Sequence, residues 1–169
     1  MSIVITPENY PGMNIASGVS GKRFVTYVNY GENATETNPK WKNLGGVTSN
    51  SLNISAEANA AQTKDGGYWS ESAIISKSAE YSAEMILKRD NEAQAAIDAF
   101  MYDDEITAAK NALRLAVVDL DTKDYTQFWC VPSAWEMTAD SGDFVTYSLT
   151  ASVTGMPVKK TGFIIPTDD

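Results

Sequence analysis

Residues 41–88 contain the clearest alternation of apolar and polar positions in the chain. Two runs alternate, residues 51–56 and 78–87, and a period of two places successive side chains on opposite faces of a strand. Between these runs the residues from Asn59 to Gly67 are small and polar, and they cannot form a core of their own. The pattern predicts a long β-hairpin with a polar tip at residues 58–67 and a further strand behind it.

The run 78–87 also predicts how its sheet is covered. Its odd positions are apolar, including Tyr81 and Met85, whereas its even positions are mostly polar, including Glu80 and Glu84. One packed face and one wet face are typical of an antiparallel sheet. Residues rich in β-branched and aromatic side chains predict further strands at positions 22–30, 113–120, 125–131, 134–138 and 144–154.

A change of period after residue 90 predicts one helix. Apolar residues then recur at the spacing of a single helical face: Ala93, Ala96, Ile97, Phe100 and Met101. Asp90 or Asn91 can cap this helix, and Gln94 stands where a capping-box partner of Asn91 would lie. The chain is long enough for one domain with its own core. We therefore expect a mainly β fold over residues 1–169, an antiparallel β-sandwich or barrel with one flanking α-helix.

Both ends of the chain are predicted to be extended arms, at residues 1–20 and 156–169. Proline and glycine interrupt regular structure in each arm. We expect the apolar side chains of the arms to be buried against the domain itself or against a neighbour: Ile3, Ile5, Ile15, Phe163 and Ile165. The alternative for the first arm is a frayed terminus, because chain ends are often poorly ordered.

Composition removes several classes of function. The chain carries 22 acidic against 13 basic residues, a net charge of −9, and this excess of acid argues against a nucleic-acid groove. The absence of histidine removes the commonest general base and metal ligand. With one cysteine an internal disulfide is impossible. Neither a membrane-spanning run nor a secretory signal pattern is recognisable, so we expect no membrane association.

The remaining candidates for chemistry are weak. Asp119, Asp121 and Asp124 could offer oxygen ligands to a cation, but a solvated turn is the favoured interpretation. Glu80 and Glu84 share one strand face without apolar neighbours that would raise a carboxyl pKa. Cys130 lies in an apolar run and is interpreted as buried and inert. We therefore predict no enzymatic activity, no cofactor and no metal site.

The order of the segments resembles the major tail tube protein of long, non-contractile-tailed bacteriophages, particularly those of Gram-positive hosts. The resemblance follows an N-terminal arm and then five segments in order: residues 23–28, 41–45, 78–102, 133–135 and 147–155. It implies a structural virion protein that forms stacked hexameric rings. It also implies that the inner sheets of a ring join into one β-barrel, the channel for DNA during genome ejection.

The resemblance assigns roles to particular residues. The hairpin tip would contact an adjacent subunit or ring through Asn59, Gln62, Lys64, Asp65 and Gly66, and the arms would bridge neighbours. Acids lining the channel would repel DNA, which would pass without specific binding, and the candidates are Glu57, Glu80 and Glu84. The implied partners are copies of this chain and the tape-measure, tail terminator and distal tail or baseplate proteins. The location would be the virion tail, after synthesis in the host cytoplasm.

A stand-alone β-sandwich that binds carbohydrate or protein is the alternative. Such a module could be an adhesin, a baseplate domain or a capsid decoration domain. Trp41, Tyr68 and Trp69 could form its binding platform, since aromatic side chains give large contact areas. Self-assembly separates the two hypotheses, because a tube subunit must polymerise and a binding module need not.

Overall fold

One seven-stranded antiparallel sheet organises the part of the chain that the computed structural model describes, residues 19–62, 64–105, 107 and 111–167. Its elements are β1 (Phe24–Asn29), β2 (Trp41–Asn43), β3 (Val47–Gln62), β4 (Ser70–Ile86), α1 (Glu92–Tyr102), β5 (Leu113–Asp119), β6 (Tyr125–Thr138) and β7 (Thr146–Lys160). The strand order is β2-β1-β5-β6-β7-β4-β3. A mainly β, antiparallel fold with a flanking helix is therefore confirmed. No described helix is long and apolar enough to cross a bilayer.

The sheet bends so that its β1 end lies against its β3–β4 end. Thr26 Oγ1 of β1 is 2.6 Å from the hydroxyl oxygen of Tyr81 in β4, and Asn50 Nδ2 of β3 donates to the same Thr26 oxygen at 3.1 Å. The rings of Tyr81 and Phe128 are 5.5 Å apart in the enclosed core. Side chains from five strands, α1 and the connection between β2 and β3 complete that core: Val28, Leu44, Ala83, Met85, Ala93, Ile97, Leu115, Cys130, Leu149 and Ala151.

The predicted long hairpin is formed by β3 and β4. The two strands pair from Val47 opposite Met85 to Gln62 opposite Ser70. Strand β7 pairs with β4 only from Ile86 to Ala79, so the distal part of the hairpin extends past the rest of the sheet. Eight residues of β3 beyond Ile54 make this extension roughly 25 Å long.

The structure corrects the predicted tip and the predicted division of the return strand. Asn59 and Gln62 belong to β3, where they pair with Ala73 and Ser70, whereas Lys64, Asp65 and Gly66 lie in the connection. The expected return strand and further strand are a single strand, β4. Backbone hydrogen bonds extend the ladder through small polar residues, because pairing with an adjacent strand outweighs their weak intrinsic preference for strands.

Gln94 joins the start of α1 to the base of the hairpin. The Asn91 cap is confirmed, since Gln94 N–H donates to Asn91 Oδ1 at 3.0 Å. The Gln94 side chain does not complete a capping box, however. It is buried, and its Oε1 accepts from Lys88 N–H at 2.9 Å while its Nε2 donates to the carbonyls of Gly45 and Ile86 at 2.7 and 2.9 Å.

The glycine pair before β3 makes this contact possible. Gly46 has a φ of +74°, and a Cβ there would lie 2.5 Å from the Ile86 carbonyl oxygen. A Cβ on Gly45 would lie 2.7 Å from Asn91 Nδ2, which donates to the Asn43 carbonyl. Glycine is therefore required at both positions by the close approach of helix and hairpin.

Strand β6 continues through Pro132, where the sequence predicted a boundary. The register against β7 shifts between Pro132 and Ala134, and such an irregularity is one of the few strand positions that tolerate proline. Pairing with β5 ends earlier, at Leu113 opposite Cys130. The second half of β6 therefore pairs with β7 alone.

The C-terminal segment is not a free arm over its whole length. Strand β7 continues to Lys160, and Phe163 is 5% exposed in a second core on its own domain. Its ring lies 4.8 Å from that of Tyr27 and 5.2 Å from that of Tyr125, and its N–H donates to the Lys123 carbonyl. Of the two kinds of cover that the sequence left open for Phe163, its own domain therefore supplies one. Ile165 is 42% exposed, and the N-terminal candidates lie outside the described residues: Ile3, Ile5 and Ile15.

Replacing Phe163 with alanine should lower the free energy of unfolding by about 3–5 kcal/mol, because it empties the centre of an aromatic cluster. Urea unfolding of the purified subunit measures this change. Ile164→Ala is the matched control, since Ile164 is 85% exposed and its loss should cost less than about 0.5 kcal/mol. Equal effects of the two substitutions would show that Phe163 does not belong to the core.

Replacing Gln94 with methionine should cost about 3 kcal/mol, because one donor and two acceptors at this part-buried junction lose their partner. Gln62→Met is the control, since Gln62 donates one bond to the Gly67 carbonyl at the exposed end of the hairpin. That change should cost less than about 1 kcal/mol. Thermal unfolding measures the melting temperature of each variant. Equal decreases of the melting temperature in the two variants would contradict the role of Gln94.

Candidate assembly surfaces

The three predicted channel acids lie on one exposed face of the sheet. Asn53 pairs with Glu80, Ser49 with Glu84 and Glu57 with Ser76, and opposed residues in an antiparallel pair point to the same side. The other side of β4 carries the buried Tyr81, Ala83 and Met85. Neighbours on the acidic face are hydroxyl side chains of β3, β4 and β7: Ser51, Ser55, Ser78, Ser82, Ser148, Thr150 and Ser152.

Glu136 joins the same face, although the sequence did not single it out. It pairs with Ser148 of β7, which in turn pairs with Glu84 of β4. Lys77 of β4 pairs with Ala56 and points to the opposite side. The alternation of Glu136 with Trp135 and Met137 could have indicated its direction, but only the strand order shows that it extends the face of Glu84.

The four-stranded part of the sheet that carries these acids has a free edge on each side. Within the described residues, β3 is the last strand of the sheet, and residues 131–138 of β6 have β7 as their only strand neighbour. Unpaired N–H and C=O groups on a strand edge are templates for pairing with another chain. Strand β3, with 16 residues, presents a long row of such groups.

The end of the hairpin presents two exposed aromatic side chains on a defined turn. Trp69 N–H donates to the Gly66 carbonyl at 3.2 Å, and Gln62 Nε2 donates to the Gly67 carbonyl at 2.9 Å. Tyr68 is 99% and Trp69 84% exposed. Large exposed aromatic residues are typical anchors of protein–protein interfaces.

The predicted aromatic platform of Trp41, Tyr68 and Trp69 is not formed. Trp41 lies near the base of the hairpin and is half-buried, with its ring 6.2 Å from that of Phe163. The hairpin, roughly 50 Å long by the rise of its strands, separates it from Trp69. The observation that favoured a stand-alone binding module is therefore absent from the described part of the chain.

The acidic turn after β5 uses its carboxylates to hold its own loop. Asp119 accepts from Asp121 N–H at 2.9 Å, and Asp121 accepts from Arg23 Nε at 2.9 Å. Asp119 N–H donates to the Asp124 carbonyl. Among the described residues no group of three or more potential ligands could hold a metal ion. The carboxylates therefore stabilise the turn itself and its contact with Arg23, which directly precedes β1.

Two titratable groups of the core are held in their neutral forms. Cys130 is fully buried, and burial raises the pKa of its thiol from the ordinary 9.0 to about 12. Burial likewise raises the pKa of Tyr81 to about 12, and it outweighs the lowering effect of the hydrogen bond with Thr26. A neutral thiol is a poor nucleophile, so the geometry agrees with the interpretation of Cys130 as an inert core residue.

Comparison with known proteins places this arrangement in a structural context. The family model described as phage tail tube protein matches residues 18–159. No curated protein matches the sequence. A chain from the tail of an empty gene transfer agent (GTA) particle with C6 symmetry superimposes with a TM-score of 0.64 at 15% identity, over 85% of this chain and 100% of that one.

Two further structures share the fold. The SPP1 tail tube has a TM-score of 0.67 at 12% identity, over 86% of this chain and 81% of that one. A chain of the six-fold symmetrised anti-feeding prophage (AFP) baseplate has a TM-score of 0.59 at 10% identity, over 85% and 95% of the two chains.

Raising the pH above about 9 should lower the free energy of unfolding. The folded chain keeps Cys130 and Tyr81 protonated up to about pH 12, whereas the unfolded chain releases those protons near pH 9.0 and 10.0. Their contribution is therefore complete below pH 9 and is lost as the pH rises towards 12. Urea unfolding across this range measures it. Cys130→Ala should flatten the dependence where the thiol titrates, and an unchanged slope would contradict the assignment.

Proposed function

This chain belongs to the phage tail tube protein family, and we propose that its copies close into hexameric rings that stack into a DNA-conducting tube. Members of this family are structural proteins of phage tails and not enzymes, as predicted. One observation carries the finer proposal. The acidic face lies on a four-stranded sheet, β6-β7-β4-β3, that has a free edge on each side.

The directions of the two edges suit closure by rotation. Each neighbouring pair in β3-β4-β7-β6 is antiparallel, so β3 and β6 of one copy run in opposite directions. Rotation about an axis along the strands keeps each direction, and it brings β3 of one copy beside β6 of the next. The new junction is then an antiparallel ladder like the others in the sheet. Closure pairs edges that an isolated subunit would leave open.

Six copies with four strands each would form a barrel of twenty-four strands, wide enough to enclose a channel. The number six follows two of the structural neighbours, the GTA tail with C6 symmetry and the six-fold symmetrised AFP baseplate. Ring closure is a rotational contact, whereas contact between rings does not close and extends the assembly into a filament.

The channel surface would be the acidic face. Its carboxylates are Glu57, Glu80, Glu84 and Glu136, and all four are exposed in the subunit. Negative charge on the wall repels phosphates, and it offers no cation whose contact would release the counterions of DNA. DNA would therefore slide through without specific binding, in accord with the net charge of −9.

Other parts of the proposal concern contacts along the tail. The distal hairpin, with Asn59, Gln62, Lys64, Asp65 and Gly66, would contact the adjacent ring. The apolar residues of the N-terminal arm and the exposed Ile165 would bridge neighbours. Tape-measure, tail terminator and distal tail or baseplate proteins would bind the finished tube in the virion. A Gram-positive host and synthesis in its cytoplasm stay predictions from the sequence resemblance.

Cysteine cross-linking tests the proposed junction between rotated copies. Glu136→Cys is combined with one cysteine at a time along residues 49–57 of β3, and assembled protein is oxidised. Odd positions such as Ser51 and Asn53 share the channel face with Glu136, so they should form disulfides between copies. Within one copy these strands are three spacings apart, roughly 14 Å, which no disulfide can bridge.

The expected product is a denaturing-gel ladder that ends at six subunits. Even positions such as Leu52 and Ile54 are the matched controls, because they point to the other side of the same strand. The native Cys130 is buried and should not react. Ladders from the even positions, or the absence of a ladder from every position, would refute this junction. A ladder that ended at a number of subunits other than six would refute the hexamer.

A further inference from the structure

A cleft lies beside α1 at the base end of the hairpin. Its volume is about 200 Å³, enough for one indole ring. The wall includes Trp135 and Tyr147, whose rings stack with centroids 4.5 Å apart and planes inclined by 17°. Trp135 Nε1 donates to Asp98 Oδ1 at 3.0 Å, which fixes the orientation of the indole. The remaining lining residues are Leu87, Lys88, Arg89, Gln94 and Ala95.

This cleft and the aromatic turn occupy opposite ends of the same strand pair. Leu87 and Lys88 directly follow β4, whereas Tyr68 and Trp69 directly precede it. Because β4 has 17 residues, the two features are separated by roughly 55 Å. No residue at the end of one hairpin can therefore reach the cleft of its own subunit. A second copy displaced along the strand direction can present its turn to that cleft.

Charges of opposite sign predominate near the two features. The hairpin end carries the exposed Asp65 and Glu71 against one cation, Lys64. The cleft has the exposed Lys88 and Arg89 against one carboxylate, Asp98, which already accepts from Trp135 Nε1. A cation close to an aromatic face also attracts the ring itself. An indole in the cleft would have the stacked pair of rings on one side and these cations on the other. It would gain both apolar burial and electrostatic attraction.

We propose that Trp69 of one copy inserts into the Trp135–Tyr147 cleft of a copy in the next ring. This inference rests on the proposed tube, and it names the contact that joins one ring to the next. The contact uses different surfaces on its two partners, so it repeats along the axis without closing. Asp65 and Glu71 then face Lys88 and Arg89 of the other copy, which sets the polarity of stacking.

Four single variants test the contact through the lowest protein concentration at which tubes form. Trp69→Ala removes the inserted ring, and Ala95→Trp fills the cleft from an exposed position of α1. Each should raise that concentration about tenfold or more, as for a central interface anchor. Tyr68→Ala, next to Trp69, and Ala99→Trp, one helical turn from Ala95, are controls that should change it less than about threefold. Electron microscopy, light scattering and circular dichroism give the readouts.

Trp69→Cys combined with Ala95→Cys gives a second measurement, made at a protein concentration high enough for tubes to form without the indole. In one chain carrying both substitutions, oxidation should link copies of adjacent rings into chains longer than six, because the two positions are too distant to bond within a copy. Normal tubes from Trp69→Ala and Ala95→Trp, with no such cross-link, would overturn the inference and leave the ring proposal intact. Failure of the unaltered protein to form rings or tubes would overturn the proposed function itself, and this contact with it.

Discussion

The backbone ladder between β3 and β4 is the interaction on which the other features of this chain depend. It holds a hairpin that is longer than the rest of the sheet, since β7 supports only the half next to α1. Gln94 anchors that half by satisfying three backbone groups from both sides of the hairpin base. The direction of the hairpin is thereby set from the packed domain, and the unsupported end carries Trp69 to a defined position.

Along its length the same strand pair meets three environments. Near α1 one face is dry, where Tyr81 and Met85 are buried, and the other face is wet and acidic. Beyond Ile54 both faces are exposed, and only backbone pairing maintains the structure. Alternation in the sequence creates the first contrast, because successive side chains of a strand point to opposite sides. The second contrast arises because the neighbouring strands end earlier.

The subunit retains features that would be liabilities in a protein working alone. A 16-residue edge strand invites uncontrolled pairing, and two exposed aromatic residues at a protruding turn favour nonspecific contacts. The proposed tube removes both, since rotation pairs the edges and stacking buries the indole. The carboxylates would have the opposite requirement in that tube, because they would have to stay hydrated to repel DNA. The proposed assembly would keep these demands apart, with the edges of the sheet facing neighbours and its acidic face lining the channel.

The sequence by itself determined the features that depend on local period and local chemistry. The faces of β4 and the Asn91 cap of α1 follow from neighbouring residues, whatever packs against them. Tertiary structure decided the features that need a distant partner. Phe163 entered a core with Tyr27 and Tyr125 because strand β6 carries β7 past the predicted arm boundary. Contacts between segments far apart in the chain likewise create the partners of Gln94, the alignment of Glu136 with Glu84 and the cleft at Trp135. Patterns among adjacent residues carry no information about such contacts.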